Sequence, residues 1–203
     1  MNAGRPKLGV IEAVLRGGIK LVQYRDKRLA DSDFEAEARS ALDLCRKHGA
    51  TLIVNDRVEI ARRIGAHGVH LGQEDMPPRE AREALGPHAI LGLSTHNEEE
   101  VRAAEDLPLS YINIGPMFPT STKEHASSLG REEVLRLAGL THHTWTTMGG
   151  IKKDHLRELF RSGVRTVAMV TEISQAEDVE KRVGELLLET PLWNTSVGDF
   201  PNA

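Results

Sequence analysis

The chain has 203 residues with a formal net charge of -4, and 39% of its residues are hydrophobic against 28% charged. That length suits one domain with a sizeable core, the charge gives no general attraction for nucleic acid, and no stretch approaches the ~20 apolar residues of a membrane span. A single cysteine, Cys45, excludes an intrachain disulfide framework. The opening MNAGRPKLGV has no apolar core of signal-peptide length. The expectation is a cytoplasmic enzyme or binding protein.

In chain order, the first element is a helix-like segment, Leu8 to Arg16, ahead of Gly17–Gly18. From there short β-branched or aliphatic runs alternate with amphipathic patterns. The runs are Lys20–Tyr24, Thr51–Asn55, Gly68–Leu71, Ala89–Ser94, Tyr111–Pro116, His143–Met148 and Arg165–Thr171. After the first, Asp31 or Ser32 is placed to cap a helix whose Phe34, Ala38, Ala41, Leu42 and Cys45 share one face, with Gly49 beyond its end. Pro77 and Pro78 suit a first helical turn and Gly86 a stop. Asn97 precedes three glutamates, which favour a helix N-terminus. Leu156, Leu159 and Phe160 precede Gly163, and Val179, Val183, Leu186 and Leu187 mark the last helix.

Strand and helix alternating at roughly 25-residue spacing signal parallel βα units. There is no GxGxxG or P-loop pattern for a nucleotide-binding open sheet. Polar residues instead gather at the C-terminal ends of the strand runs, which converge on one mouth in a (β/α)8 TIM barrel. The expected fold is therefore that α/β barrel over residues 1–190, with a tail at 191–203. Only seven runs are present, so the first β-strand of the eight is missing from this chain, or something else fills its place.

Four constellations can carry chemistry. Gln23, Arg25 and Lys27 alternate along one side of a strand end and can clamp a diphosphate, or simply run into a solvated loop. Asp56 and Asp75 follow successive strands and can hold Mg2+ through oxygen, or cap the helices after them. The loop Gly115–Lys123 crowds Thr120, Ser121, Thr122 and Lys123 behind two prolines, a density of donors suited to phosphate. Gly149–Gly150 and Val170–Thr171 lie at the late strand ends where such barrels bind phosphate, although a double glycine also makes a tight turn. His70 reads as an interior hydrogen-bonded histidine and Cys45 as core. The pairs and singles among the other histidines show no metal-ligand spacing.

The motifs VQYRDK, LIVNDR, GVHLGQED, STHN, GPMFPTSTK, GGI and TEISQAED, in this order and spacing, resemble the thiamin-phosphate synthase family from about Lys20 to Leu187. That resemblance implies a transferase of thiamine biosynthesis that joins 4-amino-5-hydroxymethyl-2-methylpyrimidine diphosphate to a thiazole phosphate, releasing diphosphate. It implies that Gln23, Arg25, Lys27, Asn55 and Lys123 hold the pyrimidine diphosphate, that Asp56 and Asp75 carry Mg2+, and that Ser94 contacts the pyrimidine. Thr120, Thr122, Gly150, Val170 and Thr171 would hold the thiazole phosphate, and Arg25, Lys27, Ser94 and Lys123 would act in catalysis. No protein nucleophile is required. The partners are then small molecules, with neither nucleic acid nor membrane, and a homo-oligomer is left open. A thiazole tautomerase of the same superfamily and a non-catalytic ligand-binding remnant are the alternatives. Two departures stand out: no strand ending in a Thr-Asp-like pair opens the chain, and Trp145–Met148 is more polar than the aliphatic run expected.

Overall fold

The computed structural model describes residues 4–120 and 127–190. Helix α1 (Lys7–Arg16) leads into β1 (Leu21–Tyr24), α2 (Asp31–Lys47), β2 (Thr51–Asn55), α3 (Val58–Ile64) and β3 (Gly68–Leu71). Then follow α4 (Pro78–Leu85), β4 (Ile90–Thr95), α5 (Glu98–Ala104), β5 (Tyr111–Ile114) and α6 (Arg131–Ala138). The remainder comprises β6 (Trp145–Met148), α7 (Lys153–Arg161), β7 (Val167–Ala168), α8 (Thr171–Ser174) and α9 (Val179–Glu189). Among the described residues seven strands pair in parallel in the order β1 to β7, as consecutive βα units do.

The sheet curls into a half-barrel with helices on its outer face. Val22, Leu52, Val54, Val69, Leu71, Leu91, Leu93, Ile112 and Ile114 point outward into one apolar cluster with Phe34, Leu42, Val101, Val134 and Leu156 from the helices. Period-two alternation turns the intervening residues inward. Among the described residues no ladder joins β7 to β1, so the sheet has two edges. The helix layer is continuous across that interval. Gly17 ends α1 against Val183 of α9, where an added Cβ would stand 2.7 Å from the valine Cβ. Arg16 meets Glu180 at 2.8 Å, and Arg5 donates to the carbonyls of Ala176 and Glu177 at 2.6 and 2.9 Å.

Several boundaries differ from expectation. The run Arg165–Thr171 is a strand only at Val167–Ala168, and Thr171 begins α8. Tyr111–Pro116 stops pairing at Ile114, consistent with a proline that has no N–H to give a ladder. Neither Asp31 nor Ser32 caps α2; Ala30 is the N-cap, and Asp31 lies in the first turn where its charge favours the helix dipole. Leu187 is 37% exposed, so the buried face of α9 is Val179, Val183 and Leu186. The Pro78 start, the Gly86 stop and the Asn97 cap, whose side chain accepts from the Glu100 N–H, all form as expected.

Candidate active site

The inward face is polar. Asn55, His70, Ser94, Asn113 and Thr146 are all buried there, and neighbouring pairs are aligned by the ladders Asn55–His70, Ser94–Asn113 and Asn113–Thr146. Tyr111 lies across this face because β4 carries glycine at its partner position. A Cβ on Gly92 would stand 2.2 Å from the phenol ring carbon Cζ. The Tyr111 hydroxyl is 2.9 Å from His70 Nδ1, and His70 Nε2 is 2.9 Å from the Ser94 hydroxyl. Gln23 hydrogen-bonds the same phenol, whose ionisation burial pushes well above the ordinary range. Gln73 donates to the Ser94 carbonyl at 2.6 Å. Four strands are thus tied side chain to side chain beneath the mouth, which fixes the Ser94 hydroxyl before any ligand arrives.

Above this network stand the first strand ends. Because β1 stops at Tyr24, Arg25 and Lys27 extend into the loop beyond it and do not continue a strand face. They converge nonetheless. Lys27 Nζ lies 3.7 Å from Asp56 Oδ2, and the charges of both Arg25 and Lys27 act on that carboxylate. Asp56 has φ 63°, a left-handed conformation that non-glycine residues adopt rarely and mostly at functional positions. Burial raises its carboxyl above the usual range, and the hydrogen-bonded Asp75 carboxyl beside it raises it further, against the pull of Lys27 and Arg25. Asp75 also accepts from the Gly72 N–H at 2.6 Å. Neither aspartate caps a helix: the N-caps are Arg57 and Pro77, without side-chain caps.

The late strand ends form a second rim. Gly149 and Gly150 have φ of 101° and 61°. Their missing side chains admit the Pro116–Pro119 loop: a Cβ at Gly149 would sit 2.4 Å from Pro116 Cβ, and one at Gly150 2.4 Å from the Pro119 carbonyl oxygen. Backbone bonds Met117 N–H to Met148 O (2.7 Å) and Phe118 N–H to Gly149 O (3.0 Å) zip the loop onto this turn. Thr120 follows at the end of the zipped segment. The last pair of the sheet is Met148 with Ala168; Gly150 and Val170 each follow two residues beyond it in the chain, with Thr171 next. Val170 is 52% exposed.

The fold therefore gathers Gln23, Arg25, Lys27, Asn55, Asp56, Asp75 and Ser94 over the early strands, and Thr120, Gly150, Val170 and Thr171 over the late ones. Thr122 and Lys123 lie outside the described residues. Sequence reasoning missed Tyr111, whose inward placement depends on the register that sets it against Gly92. It also missed Arg57, which donates to the Leu29 carbonyl at 2.7 Å and stacks 4.2 Å from the Phe34 ring centroid, bracing the loop that carries Lys27. Asp26, between the two cations, is held down to about 2 by its hydrogen bond to Lys7, then by the N–H groups of Arg28 and Leu29 that offset its burial.

A parallel α/β half-barrel whose strand ends converge on one polar mouth defines a (β/α)-barrel enzyme. The family model described as thiamine monophosphate synthase matches residues 1–173. A thiamine-phosphate synthase from Caldicellulosiruptor saccharolyticus is 37% identical over 184 residues, covering 90% of this chain and 83% of that protein. The thiamine-phosphate synthase of Nostoc punctiforme is 42% identical over 84% of this chain but only 48% of its own greater length. Among solved structures, a thiamine phosphate pyrophosphorylase from Pyrococcus furiosus superposes with a TM-score of 0.84 at 32% identity, covering 91% of this chain and 89% of that one. This chain belongs to the thiamine monophosphate synthase family.

Proposed function

We propose that the chain joins 4-amino-5-hydroxymethyl-2-methylpyrimidine diphosphate to a thiazole phosphate, giving thiamine phosphate and free diphosphate. The observation that carries this reading is the convergence of Arg25 and Lys27 on the Asp56–Asp75 pair at one rim, with a glycine-lined loop junction at the other. In the reaction the C–O bond between the pyrimidine methylene and the diphosphate breaks, its electron pair leaving with the diphosphate. The thiazole nitrogen then forms a bond to the methylene carbon. Negative charge grows on the leaving group, so Arg25 and Lys27 stabilise it more in the transition state than in the ground state. Lys123 adds a third cation. Gln23, Asn55 and the prefixed Ser94 hydroxyl orient the pyrimidine, and Thr120, Gly150, Val170 and Thr171 receive the thiazole phosphate. Positioning and electrostatics supply the rate without a protein nucleophile.

Asp56 and Asp75 fit Mg2+. Two neighbouring carboxyls, one of them raised first by burial and then by the other, are relieved by a shared dication. Among the described residues no group of three or more His, Cys, Asp or Glu side chains is arranged to hold a metal ion, and magnesium characteristically asks for only one or two protein carboxylates. When bound, the ion supplies positive charge to the departing diphosphate. Among the described residues no helix is long and apolar enough to cross a membrane, and the ligands of this reading are two small phosphorylated molecules.

Incubating the protein with both substrates and Mg2+ should give thiamine phosphate and diphosphate, with no product when Mg2+ is chelated. Absence of product at high enzyme concentration overturns the reading. Isomerisation of the thiazole without pyrimidine would assign a tautomerase instead, and binding of both ligands without turnover a ligand-binding protein.

A further inference from the structure

Lys7 opens α1, where a cation faces the positive end of the helix dipole, and the first turn holds no acidic residue. A residue set against its local preference is often held there by something else. Here its ammonium meets three acceptors: Asp26 Oδ2 at 2.9 Å, Glu37 Oε2 at 2.7 Å and the Tyr24 phenol oxygen at 3.3 Å. The phenol in turn donates to Glu37 at 2.5 Å. Asp26 is the residue between Arg25 and Lys27, and its side chain is only 10% exposed. Its two oxygens do different work. Oδ1 accepts from the N–H groups of Arg28 (2.7 Å) and Leu29 (3.1 Å), which closes the turn after the strand. Oδ2 is taken by Lys7.

A carboxylate flanked by two phosphate-binding cations competes with the phosphate for them. The turn nevertheless needs a carbonyl-type oxygen at this position. We propose that Lys7 is a positioning residue for the diphosphate end of the site: it draws Oδ2 of Asp26 to the α1 side and offsets part of its charge, leaving Arg25 and Lys27 to the incoming diphosphate. This rests on the diphosphate reading of Arg25 and Lys27. It gives the segment before the first strand of the sheet an indirect part in substrate binding.

The test uses the full-length chain. Lys7→Met should raise KM for the pyrimidine diphosphate about tenfold, with kcat and the KM for thiazole phosphate changed by less than about twofold. Lys7→Arg should stay within about threefold of wild type, since it keeps the charge. The double variant Lys7→Met with Asp26→Asn should recover most of the loss, because the asparagine Oδ1 still accepts from Arg28 and Leu29 while the competing charge is gone. A double variant as weak as Lys7→Met would assign Lys7 a packing role and overturn the proposal, as would an unchanged KM in Lys7→Met. Asp26→Asn alone, which does not depend on Lys7→Met folding, should bind inorganic diphosphate with Mg2+ at least as tightly as wild type by calorimetry; weaker binding overturns it. That measurement needs no turnover, so it separates failure of this inference from failure of the assigned reaction.

Discussion

The two faces of one sheet obey different rules. On the outer face, Leu52, Leu71, Leu91, Ile112 and Ile114 are fully buried against helices, and their contribution is the burial of apolar surface. On the inner face, Gln23, His70, Ser94 and Tyr111 bond to one another, and Asn113 Oδ1 has no partner among the described residues. Apolar side chains there would cost less to bury, so the inner face is a surface kept for recognition at some expense in stability. The contrast is sharp because the same strands supply both faces at alternate positions.

The contrast can be broken or sharpened by substitution. The largest effect belongs to the outer face: Leu91→Ala should lower unfolding free energy by about 3 kcal/mol in urea titration, with kcat/KM per folded molecule unchanged. Next, Asp56→Ala should cut kcat/KM about a hundredfold and abolish the response to Mg2+. Its Tm should fall modestly, because alanine tolerates a φ of 63° less well than aspartate and the contact with Lys27 is lost, offset in part by relief of the crowding against Asp75. A folded variant with normal metal dependence would reject the metal assignment. Gly92→Ala should cost about 2 kcal/mol by overpacking against Tyr111, and a Gly92→Ala, Tyr111→Ala pair should cost less than the two single changes summed. Smaller again, Thr147→Val should gain about 1 kcal/mol, because Oγ1 of this fully buried residue has no partner among the described residues.

The rim between the faces responds to acid. Asp26, held down to about 2 by Lys7, contributes stability above its ordinary value of 3.8 and loses it as pH falls toward 2. Wild type should therefore lose Tm below about pH 4 more steeply than Asp26→Asn.

Much of this was legible in the sequence because the outer face writes itself as aliphatic runs and the helices as one-sided patterns. Thr51–Asn55 and Gly68–Leu71 fall where the runs place them. The candidate residues at the early strand ends could be expected on one rim because parallel βα units put every strand's C-terminus there. Contacts set by three-dimensional register were not legible. Nothing along the chain ties Lys7 to Asp26, and alternation wrongly carries the first strand past Tyr24. Glycine at 92 announces a close approach without saying to what. The strand expected through Thr171 ends early at Ala168, where the pattern Val-Arg-Thr-Val-Ala-Met-Val looked uniform.

The seating of Tyr111 over Gly92 also bears on how such a chain can change by descent. A side chain arriving first at position 92 meets the phenol ring at 2.2 Å. A small residue arriving first at 111 empties the space and takes from His70 Nδ1 and Gln23 a shared partner. Either order passes through a worse intermediate. The two positions, 19 residues apart, are inherited as one choice, and the route out of it runs through both at once.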